Sequence, residues 1–224
     1  MLEAVIFDMD GVIVDTEPGY FYAINAFLKY FGKSIDKKFN EQLFGLSSKY
    51  AWEKIIAHTN LTDLTPEQGV EGMEKEREKK IAEEKYKPIE GTIALIKLLH
   101  KQKVPIAVAS SSPKKEIDRV MEVLGIGAYF QEFVSGSDEC ENGKPFPDVF
   151  LKAAKKLGVK PENCLVIEDS DNGVLAGKRA GMKVIGYQNQ EYGNQQLKNA
   201  DYIVTNMAQV TYDLCKKVGN KDGI

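Results

Sequence analysis

The stretch AVIFDMDGVIVDTEP, residues 4–18, decides the fold. Ala4 to Phe7 make a short apolar run with no polar alternation, the pattern of a strand buried on both faces in a parallel sheet. The period of two along such a strand places Asp8 and Asp10 on one side at its carboxyl end. Gly11 then permits a sharp exit. In open α/β sheets the carboxyl ends of the strands are where ligands bind.

Working outward, similar runs recur from residue 89 onward: KVPIAVAS (103–110), EFVSG (132–136), CLVIED (164–169), KVIGY (183–187) and DYIV (201–204). Between them lie one-faced helical patterns: Ile93, Ile96 and Leu99; Ile117, Val120, Met121 and Leu124; Phe150, Ala153, Ala154 and Leu157. Gly125 and Gly181 are stop signals, and Ser112 followed by Pro113 reads as an N-cap and first helical position. Strand–helix alternation predicts an α/β, Rossmann-like, mostly parallel sheet.

Residues 15–88 read differently. Phe21, Ile24, Phe27, Leu28 and Phe31 form a helical stripe ending at Gly32, EGMEKEREKKIAEEKYK (71–87) reads as a charged, solvated helix, and no strand run follows before residue 89. The expected division is an α/β catalytic core of residues 1–14 and 89–224 with a small α-helical cap domain, 15–88, inserted after the first strand.

The chain has 224 residues, 43% of them hydrophobic, enough for a sizeable core. A net charge of −3 gives no global attraction to nucleic acid or to anionic membranes. No window has the length of a membrane span, and the N-terminus lacks a signal-like core. Cys140, Cys164 and Cys215 are three, an odd number without metal-ligand spacing, which fits a reduced chain. A cytoplasmic monomer is the expectation.

Two carboxylates alone at a strand end also suit a solvated surface turn. A calcium loop would want Gly and an acid where Ile13 and Gly19 stand. A second acidic pair, Glu168 and Asp169, closes another apolar strand, and four carboxylates at two strand ends repel unless a cation lies between them. All-oxygen ligands favour Mg²⁺, which also lets a carboxylate approach a phosphate. Ser110 ends a third strand, with Ser111 in the SSSP turn before a helix whose free N–H groups suit phosphate. Lys144, between Gly143 and Pro145, is placed to serve as a point charge on phosphate.

DMDGV, the serine of VASSS, GKPFPDVF and IEDSDNGVLAGKRAG, in that order over nearly the whole chain, resemble the four motifs of the haloacid dehalogenase-like superfamily, in its phosphatase and β-phosphoglucomutase branch with a helical cap. The resemblance implies Asp8 as nucleophile forming an aspartyl-phosphate and Asp10 as general acid and base. It implies Mg²⁺ held by the Asp8 side chain, the Asp10 carbonyl and Asp169, with Glu168 as ligand or outer-shell partner. Ser110 and Lys144 would stabilise the transferring phosphoryl of a small phosphorylated metabolite. A dehalogenase of the superfamily would lack Asp10.

In the cap, NEQLFGLSSKY (40–50) resembles the loop with which relatives meet substrate, making Gly45, Ser47 and Lys49 candidates; a plain helix–helix turn is the alternative. Glu17, at the cap hinge, is a further candidate. β-Phosphoglucomutases carry a histidine where this chain has Tyr20, and no clear arginine stands in the cap loop, so hydrolysis is favoured over a mutase reaction. Receiver domains share the residue types but are shorter, with the acidic pair before the phosphorylated aspartate.

Overall fold

The computed structural model describes residues 1–43, 46, 48–83, 86–189 and 195–220, with the backbone alone at 17 and 81–83. It divides into two compact units, Met1–Asp15 with Lys87–Ile224, and Thr16–Tyr86.

The larger unit is built on six strands: β1 (Ala4–Phe7), β2 (Ile106–Ser110), β3 (Glu132–Ser135), β4 (Cys164–Glu168), β5 (Lys183–Tyr187) and β6 (Tyr202–Val204). All pair in parallel, in the order β3-β2-β1-β4-β5-β6. The chain steps outward from β1 to β3, returns to β4 beside β1, and steps outward the other way. The reversal between β1 and β4 is a topological switch point.

All four residues of β1 are buried, which is why its sequence is apolar throughout. Ala4 and Ile6 join the cluster of Phe150, Val166 and Val174 on one face. The Phe7 ring meets Phe130 edge-on, with centroids 6.0 Å apart. Helices Thr92–Lys101, Lys114–Leu124, Asp148–Leu157, Asp171–Arg179 and Tyr212–Gly219 supply the connections.

Two local expectations shift. β2 begins at Ile106 rather than Lys103; Pro105 has no N–H for the ladder, and its carbonyl accepts from Val5 N–H at 3.0 Å before the strand begins. The helix after SSSP begins at Lys114 with no side-chain cap, so Ser112 is not its N-cap. Its hydroxyl is engaged elsewhere, as described below.

The smaller unit holds helices Glu17–Leu28, Lys37–Asn40, Ser48–Thr59 and Pro66–Glu83, with no strand among the described residues. Ala23, Ile24, Leu28, Trp52, Ile55 and Met73 form its core. Phe31 falls outside that core, 43% exposed: after Leu28 the chain tightens into a 3₁₀ turn, and the spacing that kept the stripe on one face ends. The charged helix carries a solvated pair, Lys75–Glu71 at 2.7 Å, and a second, Lys79–Glu76 at 2.6 Å, whose carboxylate is largely covered, and Met73 and Arg77 on it are buried. Among the described residues, no helix is long and apolar enough to cross a membrane.

Candidate active site

The site gathers where β1 and β4 end side by side. The Asp8 N–H donates to the Ile167 carbonyl at 3.0 Å, continuing the β1–β4 ladder one residue past the strand. The chain then turns sharply: the Met9 carbonyl accepts from the N–H groups of Val12, Ile13 and Val14, and Gly11 adopts φ +79°. A Cβ on Gly11 would stand 2.0 Å from Asp169 Oδ2, so the missing side chain makes room for that carboxylate as well as for the turn.

Asp8 and Glu168 are buried, and Lys144 spans them. Its ammonium donates to Asp8 Oδ1 at 2.6 Å and to Glu168 Oε1 at 2.7 Å, with all three side chains no more than 8% exposed. Burial pushes Asp8 up to about 7, and Glu168 and Asp10 add to the rise against the pull of Lys144. Burial alone would lower Lys144, but the two carboxylates reverse the direction and hold it above its ordinary range, firmly protonated.

Glu168 is engaged at both oxygens. Its Oε2 accepts from the Ser170 N–H at 2.7 Å and the Ser170 hydroxyl at 3.0 Å, while Lys144 takes Oε1. A Cβ on Gly173 would stand 1.6 Å from Oε1, so that helix residue is small because the carboxylate lies against it. Asp8, Glu168 and Asp169 bring one oxygen each within 4.8 Å of one another. That all-oxygen set fits a small, hard divalent cation.

Asp10 lies toward β2. Its Oδ2 accepts from the Ser112 hydroxyl at 2.8 Å and the Ser110 hydroxyl at 3.2 Å, while its buried Oδ1 has no partner among the described residues. The Ser112 N–H donates to Ser110 Oγ at 3.0 Å, and the Lys114 N–H to Asp138 at 2.7 Å. Two of the amides expected to be open to phosphate are therefore engaged. Ser111, between the two bonded serines, is exposed.

Asp8, Asp10, Ser110, Lys144, Glu168 and Asp169 thus come together in the larger unit. The remaining candidates belong to the smaller one. Lys49 pairs with Glu67 at 2.9 Å on the surface, and Glu17 opens the Glu17–Leu28 helix. Gly45 and Ser47 lie outside the described residues. Tyr20 carries the Arg77 guanidinium over its ring, 4.7 Å from the centroid. Ser112 is the site residue that sequence reasoning missed; the signal available was a third hydroxyl at the end of β2, read there as a helix cap.

A carboxylate cluster, a bridging lysine and strand-end hydroxyls thus gather at the switch point of a parallel α/β sheet, the place where such sheets bind ligands. The family model of haloacid dehalogenase-like hydrolases matches residues 2–181, and the chain belongs to that family. A phosphorylated carbohydrates phosphatase of Thermotoga maritima is 32% identical over 187 residues, 82% of this chain and 84% of the relative. A probable pseudouridine-5'-phosphatase of Drosophila melanogaster is 32% identical over 208 residues, 91% of this chain and 89% of the relative. Among solved structures, a β-phosphoglucomutase from Clostridium difficile superposes with a TM-score of 0.80 at 32% identity, covering 99% of this chain and 98% of that one.

Proposed function

We propose that the chain is a Mg²⁺-dependent phosphoric monoester hydrolase that acts on a small phosphorylated metabolite through an aspartyl-phosphate on Asp8. The observation that carries this reading is the Lys144 ammonium, 2.6 Å from Asp8, beside the cluster of Asp8, Glu168 and Asp169. The names of the two phosphatase relatives support phosphate ester as the substrate class.

An Asp8 oxygen attacks phosphorus as the bond to the leaving oxygen breaks, and Asp10 gives its proton to that oxygen. Asp10, now a carboxylate, takes a proton from water as the water oxygen attacks phosphorus. The bond to Asp8 breaks, and inorganic phosphate leaves. Asp8, the Asp10 carbonyl and Asp169 would hold the cation, which would supply charge neutralisation there. Lys144 favours the ionised form of Asp8 and, with Ser110, meets the charge on the phosphoryl oxygens. Glu168, with both oxygens already bonded to Lys144 and Ser170, serves as an outer-shell partner that orients Lys144.

The test is release of inorganic phosphate from a panel of sugar, nucleotide and short-chain phosphates, with and without Mg²⁺. Metal-dependent release is expected in the native chain and none in a folded Asp8→Asn variant; wild-type turnover in that variant overturns the mechanism. The second reading, a phosphosugar mutase, is favoured by the likeness to the structure named β-phosphoglucomutase. Tyr20 stands against it, since a phenol does not replace the imidazole those mutases carry. Isomerisation of β-glucose 1-phosphate primed by a trace of the bisphosphate, with little phosphate release, would select the mutase.

A further inference from the structure

Among the described residues, the hydrogen bonds to the Asp10 carboxyl come from two hydroxyls, both on Oδ2: Ser112 at 2.8 Å and Ser110 at 3.2 Å. Oδ1 is buried and has no partner there, which leaves it as the oxygen to carry a proton toward a leaving group. The aim of that oxygen depends on how firmly residues 110–114 hold the two hydroxyls.

The end of the neighbouring strand fastens this turn. Ser110 and Ser135 are register partners that close β2 and β3, and Ser135 is fully buried. Its hydroxyl accepts from the Asp138 N–H at 3.1 Å, as the cap of the short helix Gly136–Glu139. Capping uses only the oxygen. The hydroxyl proton goes across to the turn, to the Ser112 carbonyl at 2.8 Å.

That bond completes the hold on Ser112. Its N–H donates to Ser110 Oγ at 3.0 Å, and its carbonyl accepts from Ser135, so the peptide planes on both sides of the residue are pinned. The direction in which its hydroxyl leaves the backbone is then fixed. Two further contacts come from the same side: Asp138 Oδ2 accepts from the Lys114 N–H at 2.7 Å, and a Cβ on Gly136 would stand 3.2 Å from the Ser110 carbonyl oxygen. Ser135 is itself held, its N–H donating at 3.1 Å to Glu139, which pairs with Lys156 at 2.8 Å.

We propose that Ser135, seconded by Asp138, is a positioning residue of the site: by fixing the turn at Ser112 it sets the aim of Asp10 as proton donor. The proposal rests on the hydrolase reading above, in which Asp10 protonates the leaving oxygen.

The leaving group provides the readout. An alkoxide needs a proton as it departs, p-nitrophenolate does not, and kcat/KM covers the steps only up to that departure. Phosphate release in Mg²⁺ is measured for p-nitrophenyl phosphate and for the sugar phosphate that the parent chain turns over fastest. Ser135→Ala should lower kcat/KM for the sugar ester about fivefold, the worth of one hydrogen bond, and leave the aryl ester little changed. Asp138→Ala, at an exposed position, should shift the ratio of the two the same way by about threefold. In a Ser112→Ala background, Ser135→Ala should cost little more, because its route to Asp10 is already cut.

Equal falls for both esters in Ser135→Ala would assign the residue to packing, and no fall in either would make its bond to Ser112 idle; each overturns the proposal. Should Ser135→Ala fail to fold, Asp138→Ala decides, and an unchanged ratio there overturns it. A parent chain that releases no phosphate from either ester would instead strike down the hydrolase reading, and with it the role of Asp10 on which the proposal stands.

Discussion

Ser112 shows how much turns on where one hydroxyl goes. In sequence it precedes a proline and reads as a cap; in the fold it reaches a carboxylate 102 positions away, Asp10, at 2.8 Å. A partner so distant leaves no local trace, whereas the acids of the site were legible because charges directly after apolar strands are anomalous in themselves. Removing the hydroxyl leaves Asp10 with the longer bond to Ser110 alone. Ser112→Ala should lower kcat about tenfold, the worth of one hydrogen bond at the reacting carboxyl, with KM little changed. Ser112→Thr should recover most of the loss. An equal fall in thermal stability and activity in both variants would assign the residue to packing instead. Gly11 is the stricter case: φ +79° strains any side chain, and the added Cβ would run into Asp169. Gly11→Ala is expected to lower the midpoint of thermal unfolding and to weaken activation by Mg²⁺, read as a higher metal concentration at half-maximal rate.

At the scale of elements, strands were the best predicted because burial on both faces writes itself as an unbroken apolar run. Their ends were less so. DYIV was expected to pair from Asp201, yet β6 begins at Tyr202, and the Asp201 carboxylate instead fastens β5. It accepts from Lys178 at 2.6 Å, Lys183 at 2.9 Å and the Val184 N–H at 2.8 Å. Burial works to raise its pKa, but these hydrogen bonds outweigh burial and hold it below the ordinary carboxylate value. A carboxylate depressed on folding contributes stability that is fully present above its unfolded pKa, about 3.9, and is lost as pH falls through the lower folded value. Asp201→Asn should therefore be less stable than the parent at pH 7, with the difference shrinking toward zero as the solution is acidified below pH 4. Urea unfolding across that range checks it; a pH-independent difference would mean the amide disturbs packing instead of removing a charge. The helix of the smaller unit went half-read for a related reason: Glu71, Lys75 and Lys79 advertise solvent, while Met73 and Arg77 are buried because a neighbouring helix covers that face.

For the molecule as a whole, the carboxylates that make the site also work against the fold. Asp8, Glu168 and Asp169 crowd oxygens within 4.8 Å, with Lys144 engaging the first two. A cation bound there relieves that repulsion in the folded chain and has no equivalent in the unfolded one, so it stabilises by mass action. Two cysteines read this out. Cys164 opens β4 and Cys215 lies in the Tyr212–Gly219 helix; both are buried, and burial pushes each thiol up to about 12, leaving little thiolate to react unless the unit opens. With Mg²⁺ at a hundred times its dissociation constant, opening should be suppressed by about 2.7 kcal/mol, roughly a hundredfold. Alkylation of Cys164 and Cys215, followed by mass spectrometry of the digested chain, should slow by that factor. Asp169→Asn should abolish most of the slowing without removing the slow labelling itself, because the burial of the thiols does not depend on that carboxylate. Labelling rates blind to Mg²⁺ in the parent chain would mean that Asp8 and Asp169 do not hold a cation, and the charge on the phosphoryl group would then fall to Lys144 and the strand-end hydroxyls alone.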